Sequence, residues 1–236
     1  MRRSWRDERR VRICIPIVET TSERTLVAIK KADALGDLTE LRVDYLDNPE
    51  LAPLLEGRAK PCIVTNRRKE EGGRYKGDEK ERLHILKEAV DLGADYVDVE
   101  MRSRESFLKA LVAYRSANRK KTRVILSYHD FQGTPPLRVL QRVFDRMNSW
   151  GAEVIKIVTL AQSWEDNLNV LSLIPYARKR KKKIIAFCMG EHGKISRVLA
   201  PLMGIAWTYA SLSEGQLSAP GQLTVQEMRK IWRRLR

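Results

Sequence analysis

The stretch LKEAVDLGADYVDVE, residues 86 to 100, holds one complete structural unit. An apolar-faced helix ends near Gly93, a residue that tolerates the left-handed turn closing a helix, and a strand begins two residues later. The same alternation runs along the whole chain. Short β-branched runs predict eight strands at 11–18, 38–46, 61–67, 96–101, 123–131, 153–160, 184–190 and 206–212. Helical patterns fall between them at 23–35, 78–92, 104–118, 135–149, 163–180, 194–203 and 224–235, with a shorter one after Asn48-Pro49. Pro175 is expected to kink or shorten the helix at 163–180.

Strict strand–helix alternation implies right-handed crossovers and a parallel sheet. Eight such units in 236 residues predict an α/β fold, a single (β/α)8 TIM barrel, with a doubly wound open sheet as the alternative. No Pro-, Gly- or Ser-rich linker interrupts the pattern, so one catalytic domain over residues 1–236 is expected, with residues 1–10 a basic N-terminal leader.

Composition narrows the function classes. The chain carries a formal net charge of +15, concentrated in RRSWRDERR, RKRKKK (178–183) and the C-terminal RKIWRRLR. Such patches can neutralise phosphates, but Arg178 to Lys183 also close a predicted helix, where cations suit the dipole. Few aromatic residues interleave with the cations, so nucleic acid is not the expected partner; a small anionic substrate is. No apolar run approaches the ~18 residues that span a bilayer, and the N-terminus has no apolar signal core. The expectation is a soluble, cytoplasmic protein without membrane contact. Cys14, Cys62 and Cys188 are far apart inside apolar runs, a spacing that reads as buried free thiols.

In a barrel, chemistry collects at the C-terminal ends of the strands. AEVIKIVTL, residues 152–160, places Lys156 between Ile155 and Ile157 in a run that should be covered on both faces. Burial disfavours the ammonium, and an amine partly neutral near pH 7 attacks carbonyls and forms Schiff bases. The alternatives are a lysine paired with a buried carboxylate, or one reaching out at the strand end. His129 in SYHDF ends the preceding strand; adjacent strands lie ~4.8 Å apart, which makes it a candidate proton shuttle for a ligand on Lys156.

ELRVDYL puts Glu40, Arg42 and Asp44 on one face, either as a bridged structural cluster or as a polar ligand cradle. Arg67 and Glu71 occupy the next loop, TNRRKEEGG, which Gly72-Gly73 makes tight or mobile. CMGEHGKISR opens a helix after the seventh strand. Gly190 and Gly193 fit a phosphate loop there, whereas Arg197 could hold a carboxylate bidentately. SAPGQ, after the last strand, reads as a flexible flap carrying Ser218 and Gln222.

Taken in order, ELRVD, TNRRKEEGG, SYHDF, VIKIVT, MGEHGKISR and SAPGQ resemble the type I 3-dehydroquinate dehydratases of the shikimate pathway, from residue 40 to 222. Lys156 follows His129 by 27 residues and Gln222 follows Ser218 by four, as that family's pattern requires. The resemblance implies a barrel lyase that converts 3-dehydroquinate to 3-dehydroshikimate without metal or organic cofactor, acting as a homodimer. It implies further that Lys156 forms the Schiff base, His129 is the general acid/base and Glu71 orients it. Glu40, Arg42 and Arg67 would hold substrate hydroxyls and Arg197 the carboxylate. Ser218 and Gln222 would close over the site, and Met189 would be an apolar wall. Cys188 departs from the pattern, standing where relatives often carry serine. An aldolase using the same lysine is the competing enzyme reading, and a basic nucleic-acid-binding protein the competing class.

Overall fold

The structure, a computed structural model, describes residues 11–235. The basic leader expected over residues 1–10 lies outside them. Eight parallel strands alternate with helices, and the strand order is β7-β6-β5-β4-β3-β2-β1-β8. The chain forms two compact units, one of Ile15–Tyr128 and one of His129–Arg236 with the segment up to Cys14.

In the first unit, the end of β1 (Ile13–Ile17) leads through α1 (Ser22–Leu35) to β2 (Leu38–Arg42). Then follow α2 (Leu51–Glu56), β3 (Cys62–Thr65), α3 (Glu79–Asp91), β4 (Tyr96–Glu100), α4 (Glu105–Ala117) and the start of β5 (Arg123–Asp130). β2, β3, β4 and β5 pair in parallel, with Arg42 opposite Thr65, Thr65 opposite Asp98 and Glu100 opposite Ser127. Asp78 caps α3 by accepting from Glu81 N at 2.8 Å, and the Glu81 carboxylate accepts from Asp78 N at 3.2 Å. That reciprocal pair satisfies two of the amides a helix start leaves open. Gly93 (φ +77°) lies between α3 and β4 in the left-handed region, as the opening stretch predicts.

The second unit continues with α5 (Leu137–Ser149), β6 (Val154–Leu160), α6 (Asp166–Leu171), α7 (Leu173–Lys179) and β7 (Lys183–Met189). It ends with α8 (Lys194–Met203), β8 (Thr208–Tyr209) and α9 (Val225–Leu235). β6 pairs with β7 along its whole length, Lys156 opposite Ile185 and Leu160 opposite Met189. β8 pairs with β1 through Ile13 opposite Thr208 and Cys14 opposite Tyr209. The run 178–183 ends one helix and starts one strand. Lys182 Nζ donates to Ala152 O at 2.8 Å, and Arg180 meets Asp145 at 3.2 Å. Part of the positive charge therefore serves carbonyl and carboxylate groups at element ends.

Most element ends fall within two residues of the sequence reading, and three elements depart from it further. The second strand stops at Arg42 instead of running to 46, because Val43–Tyr45 tighten into a 3₁₀ turn. The helix expected over 163–180 is interrupted at Ser172, which keeps helical dihedrals (φ −65°, ψ −17°). Pro175 has no N–H for the Leu171 carbonyl, so the hydrogen-bond ladder breaks before the proline is reached. The eighth strand shrinks from 206–212 to two residues. From Ser211 the backbone bonds instead to Leu223 and Val225, each at 3.0 Å. All three cysteines are buried and free. Among the described residues no helix is long and apolar enough to cross a membrane.

Candidate active site

The residues singled out from sequence divide between the units. His129, Lys156, Met189, Arg197, Ser218 and Gln222 belong to the second. Lys156 lies at the middle of β6, 5% exposed, with Ile155 and Ile157 fully buried beside it. Its Nζ is 4.4 Å from the centroid of the Tyr209 ring and 3.4 Å from the Tyr209 hydroxyl. The amine is thus held inside the unit against an aromatic face and does not reach out at the strand end. His129, also buried, is the penultimate residue of β5, the neighbour of β6 in the sheet, and its ring stacks on Phe131 at 6.4 Å.

Arg197 lies in the first turn of α8, 1% exposed. Its guanidinium rests 4.6 Å from the Phe187 ring centroid, and Nη2 donates to Pro220 O at 3.3 Å. Nε has no hydrogen-bond partner, and no carboxylate of the described residues comes within ion-pair distance. Burial, only partly opposed by the Cys188 thiol, brings the Arg197 pKa down to about 10. An almost fully desolvated cation in that condition favours any anion that can enter beside it.

The loops around Arg197 are tied together. Gly190 N donates to Pro220 O at 3.2 Å, and a Cβ at Gly221 (φ +70°) would meet Gly190 O at 2.1 Å. That close approach requires glycine, and it pins the Pro220–Gly221 turn of SAPGQ, expected to be flexible, onto the end of β7. Met189, buried, closes that strand. Gln222 Oε1 accepts from Ser218 N at 2.8 Å and Ser218 Oγ at 3.1 Å, while its buried Nε2 has no partner among the described residues. The Nε–H of Arg197 and the amide NH2 of Gln222 therefore remain available in this region.

Glu40, Arg42, Arg67 and Glu71 belong to the first unit, and all four are buried. Thr65 Oγ1 donates to Glu40 at 2.8 Å. Arg42 grips Asp44 with two bonds of 2.8 and 2.7 Å, so of the two readings of ELRVD the bridged one describes this pair. Asp44 makes the contact from the 3₁₀ turn rather than from the strand face expected. Arg67 is caged by Asp98 at 2.8 Å, Glu100 at 2.9 Å and Ser127 Oγ at 2.7 Å. Burial alone would lower the Arg67 pKa; the two carboxylates overcome it and hold the value well above the ordinary one. Arg42 follows the same pattern with Asp44. Glu71 ends a 3₁₀ turn closed by Gly72 (φ +78°), and a Cβ at Gly73 would meet Arg67 O at 2.0 Å, so the double glycine makes this loop tight.

Several participants escaped the sequence reading: Asp98, Glu100, Ser127, Arg82 and Tyr209. Arg82 reaches Glu100 at 2.7 Å from α3 and completes the cage. The signal for the acids was in YVDVE, where Asp98 and Glu100 alternate along one strand face and so call for cations. Tyr209 gave none, since a tyrosine in a strand is ordinary. Among the described residues no cluster of three or more His, Cys, Asp or Glu could hold a metal.

Comparisons with known proteins agree on one family. The family model described as type I 3-dehydroquinase matches residues 13–236. A 3-dehydroquinate dehydratase from Desulfotalea psychrophila is 39% identical over 94% of this chain and 97% of its own. One from Methanocaldococcus jannaschii is 38% identical over the same shares. The crystal structure of a type I 3-dehydroquinate dehydratase from Clostridium difficile superposes with a TM-score of 0.83 at 29% identity, covering 96% of this chain and 92% of that one. With that likeness and eight parallel strands alternating with helices, the fold class is the expected (β/α)8 barrel.

Proposed function

The chain belongs to the type I 3-dehydroquinase family, and from that premise we propose that it dehydrates 3-dehydroquinate to 3-dehydroshikimate through a Schiff base on Lys156. The amine of Lys156 adds to the C3 ketone; a C–N bond forms and the carbonyl oxygen leaves as water. The protonated imine draws electrons from C2, so His129 removes a C2 proton and then helps the C1 hydroxyl depart as a second water. Hydrolysis consumes one water and returns the amine, so the net change is one water lost. Glu71 orients His129, and Glu40, Arg42 and Arg67 hold substrate hydroxyls. Met189 is the apolar wall, and Ser218 and Gln222 cover the ligand.

The observation that supports this reading most is Arg197. A guanidinium 1% exposed with no acidic partner among the described residues suits the substrate carboxylate, which would satisfy its open Nε–H. The lone Nε2 of Gln222 suits a second oxygen of the same ligand. The reading extends to one catalytic domain over residues 1–236, needing no cofactor, in a cytoplasmic homodimer. Light scattering should give twice the 27.3 kDa chain mass.

Borohydride added during turnover of 3-dehydroquinate tests the central step. Reduction should fix the substrate's mass on the peptide that carries Lys156 and stop the rise of the conjugated enone absorbance. An enzyme that turns over fully yet gains no mass does not use an imine.

A further inference from the structure

The second unit carries two buried cations, and each lies on its own aromatic ring. Lys156 Nζ stands 4.4 Å from the Tyr209 centroid and Arg197 Cζ 4.6 Å from that of Phe187. The two rings are neighbours, 6.2 Å apart and tilted by 59°. Tyr209 is itself buried, and its backbone is fixed by pairing with Cys14. A cation within ~6 Å of an aromatic face is attracted by the ring quadrupole, most strongly where water is excluded. The phenol contact at 3.4 Å is long for an N–H···O bond, whose usual range ends near ~3.2 Å. The ring face is therefore the stronger of the two contacts Tyr209 makes with the amine.

We propose that Tyr209 is a positioning residue for the reaction nitrogen, its ring face holding the positive charge of Lys156 in one place as ammonium becomes iminium. This rests on the imine reading above. The nitrogen attacks the ketone as the neutral amine and must be cationic again, over the same ring, when it withdraws electrons from C2. A ring fixed beneath it favours the protonated imine over the neutral one, and the protonated form is the electron sink. Phe187 does the corresponding service for Arg197, so each of these buried charges rests on a ring of its own.

The test replaces Tyr209 by phenylalanine, and then, by site-specific incorporation, by phenylalanines bearing one, two and three ring fluorines. Fluorine withdraws charge from the face with little change of shape, and melting curves verify each fold. Tyr209→Phe should keep kcat and the borohydride trapping rate within about threefold of the parent. Across the fluorinated series both should fall stepwise, by about tenfold in total, with KM changed by less than about threefold. Rates flat across the series overturn the proposal, and so does a loss of tenfold or more on Tyr209→Phe alone, which would assign the effect to the hydroxyl. A parent enzyme that turns over without trapping refutes the imine itself, and with it this proposal; trapping that ignores fluorination refutes the proposal alone.

Discussion

Arg67 and Arg197 are both buried guanidiniums, and the two units of the molecule treat them in opposite ways. Arg67 meets Asp98, Glu100 and Ser127 at 2.7–2.9 Å, and its positive form is favoured by that cage. Arg197 has a carbonyl at 3.3 Å and a phenyl ring, and its positive form is disfavoured. Desolvation acts on both; what differs is whether the compensating anions are built into the chain. A caged cation has its charge answered within the chain and offers a ligand hydrogen bonds only. A cation left short of anions leaves free energy for a ligand that brings one, and such a group marks a binding position more clearly than burial or charge alone.

The largest effect should separate chemistry from both arginines. On the proposed mechanism Lys156→Ala removes the nucleophile, so kcat should fall on the order of 10⁴-fold, with a melting temperature near the parent's. Undiminished turnover would detach the whole second-unit cluster from catalysis. His129→Ala should cost about 10²–10⁴-fold in kcat while borohydride with substrate still marks Lys156. Loss of the adduct along with turnover would assign His129 to imine formation rather than to the later proton transfer.

The arginines themselves should differ in kind. Arg67→Met leaves Asp98 and Glu100 short of a cation they bind, with Arg82 alone on Glu100, and should destabilise the fold by roughly 3–5 kcal/mol in urea unfolding. Arg197→Met removes a desolvated charge that has no anion among the described residues; near neutral pH the fold should keep or gain stability, while KM for 3-dehydroquinate rises about tenfold or more. Equal destabilisation by the two substitutions would abolish the distinction drawn between the units.

That distinction was only partly legible in the sequence. The alternation of β-branched runs with apolar-faced helices foretold all eight strands, because each run carries its own periodicity. Where boundaries slipped, a distant partner decided. The eighth strand ends early because Ser211 turns to Leu223, and nothing in AWTYASL encodes that. Lys156 stood out because one charge interrupts five apolar residues, a local signal. The cage around Arg67 did not, although Asp98 and Glu100 lie within the stretch that revealed the fold. Their partner depends on the register that sets Thr65 beside Asp98, a fact of pairing rather than of either strand alone. Arg197 was singled out in the sequence as a candidate carboxylate holder, but its lack of an anion among the described residues is visible only once its neighbours are placed.

The smallest effect is a pH dependence, and its sign follows from the depressed pKa of Arg197. In the unfolded chain this guanidinium holds its proton far above pH 10; in the folded chain it releases it near about 10. Below that value both states are protonated and the fold bears the full cost of the buried charge. As pH rises through about 10 the folded state binds fewer protons than the unfolded one, so this group's contribution to stability increases. Lysines and tyrosines titrate in the same range, so the measurable quantity is the difference between the parent and Arg197→Met. Stability of the parent relative to the variant should improve from pH 9 to pH 11. Saturating 3-dehydroquinate should reduce that improvement, because a bound carboxylate favours the charged guanidinium and restores its proton affinity. A difference that is flat with pH, or unaffected by ligand, would mean that Arg197 already has its anion.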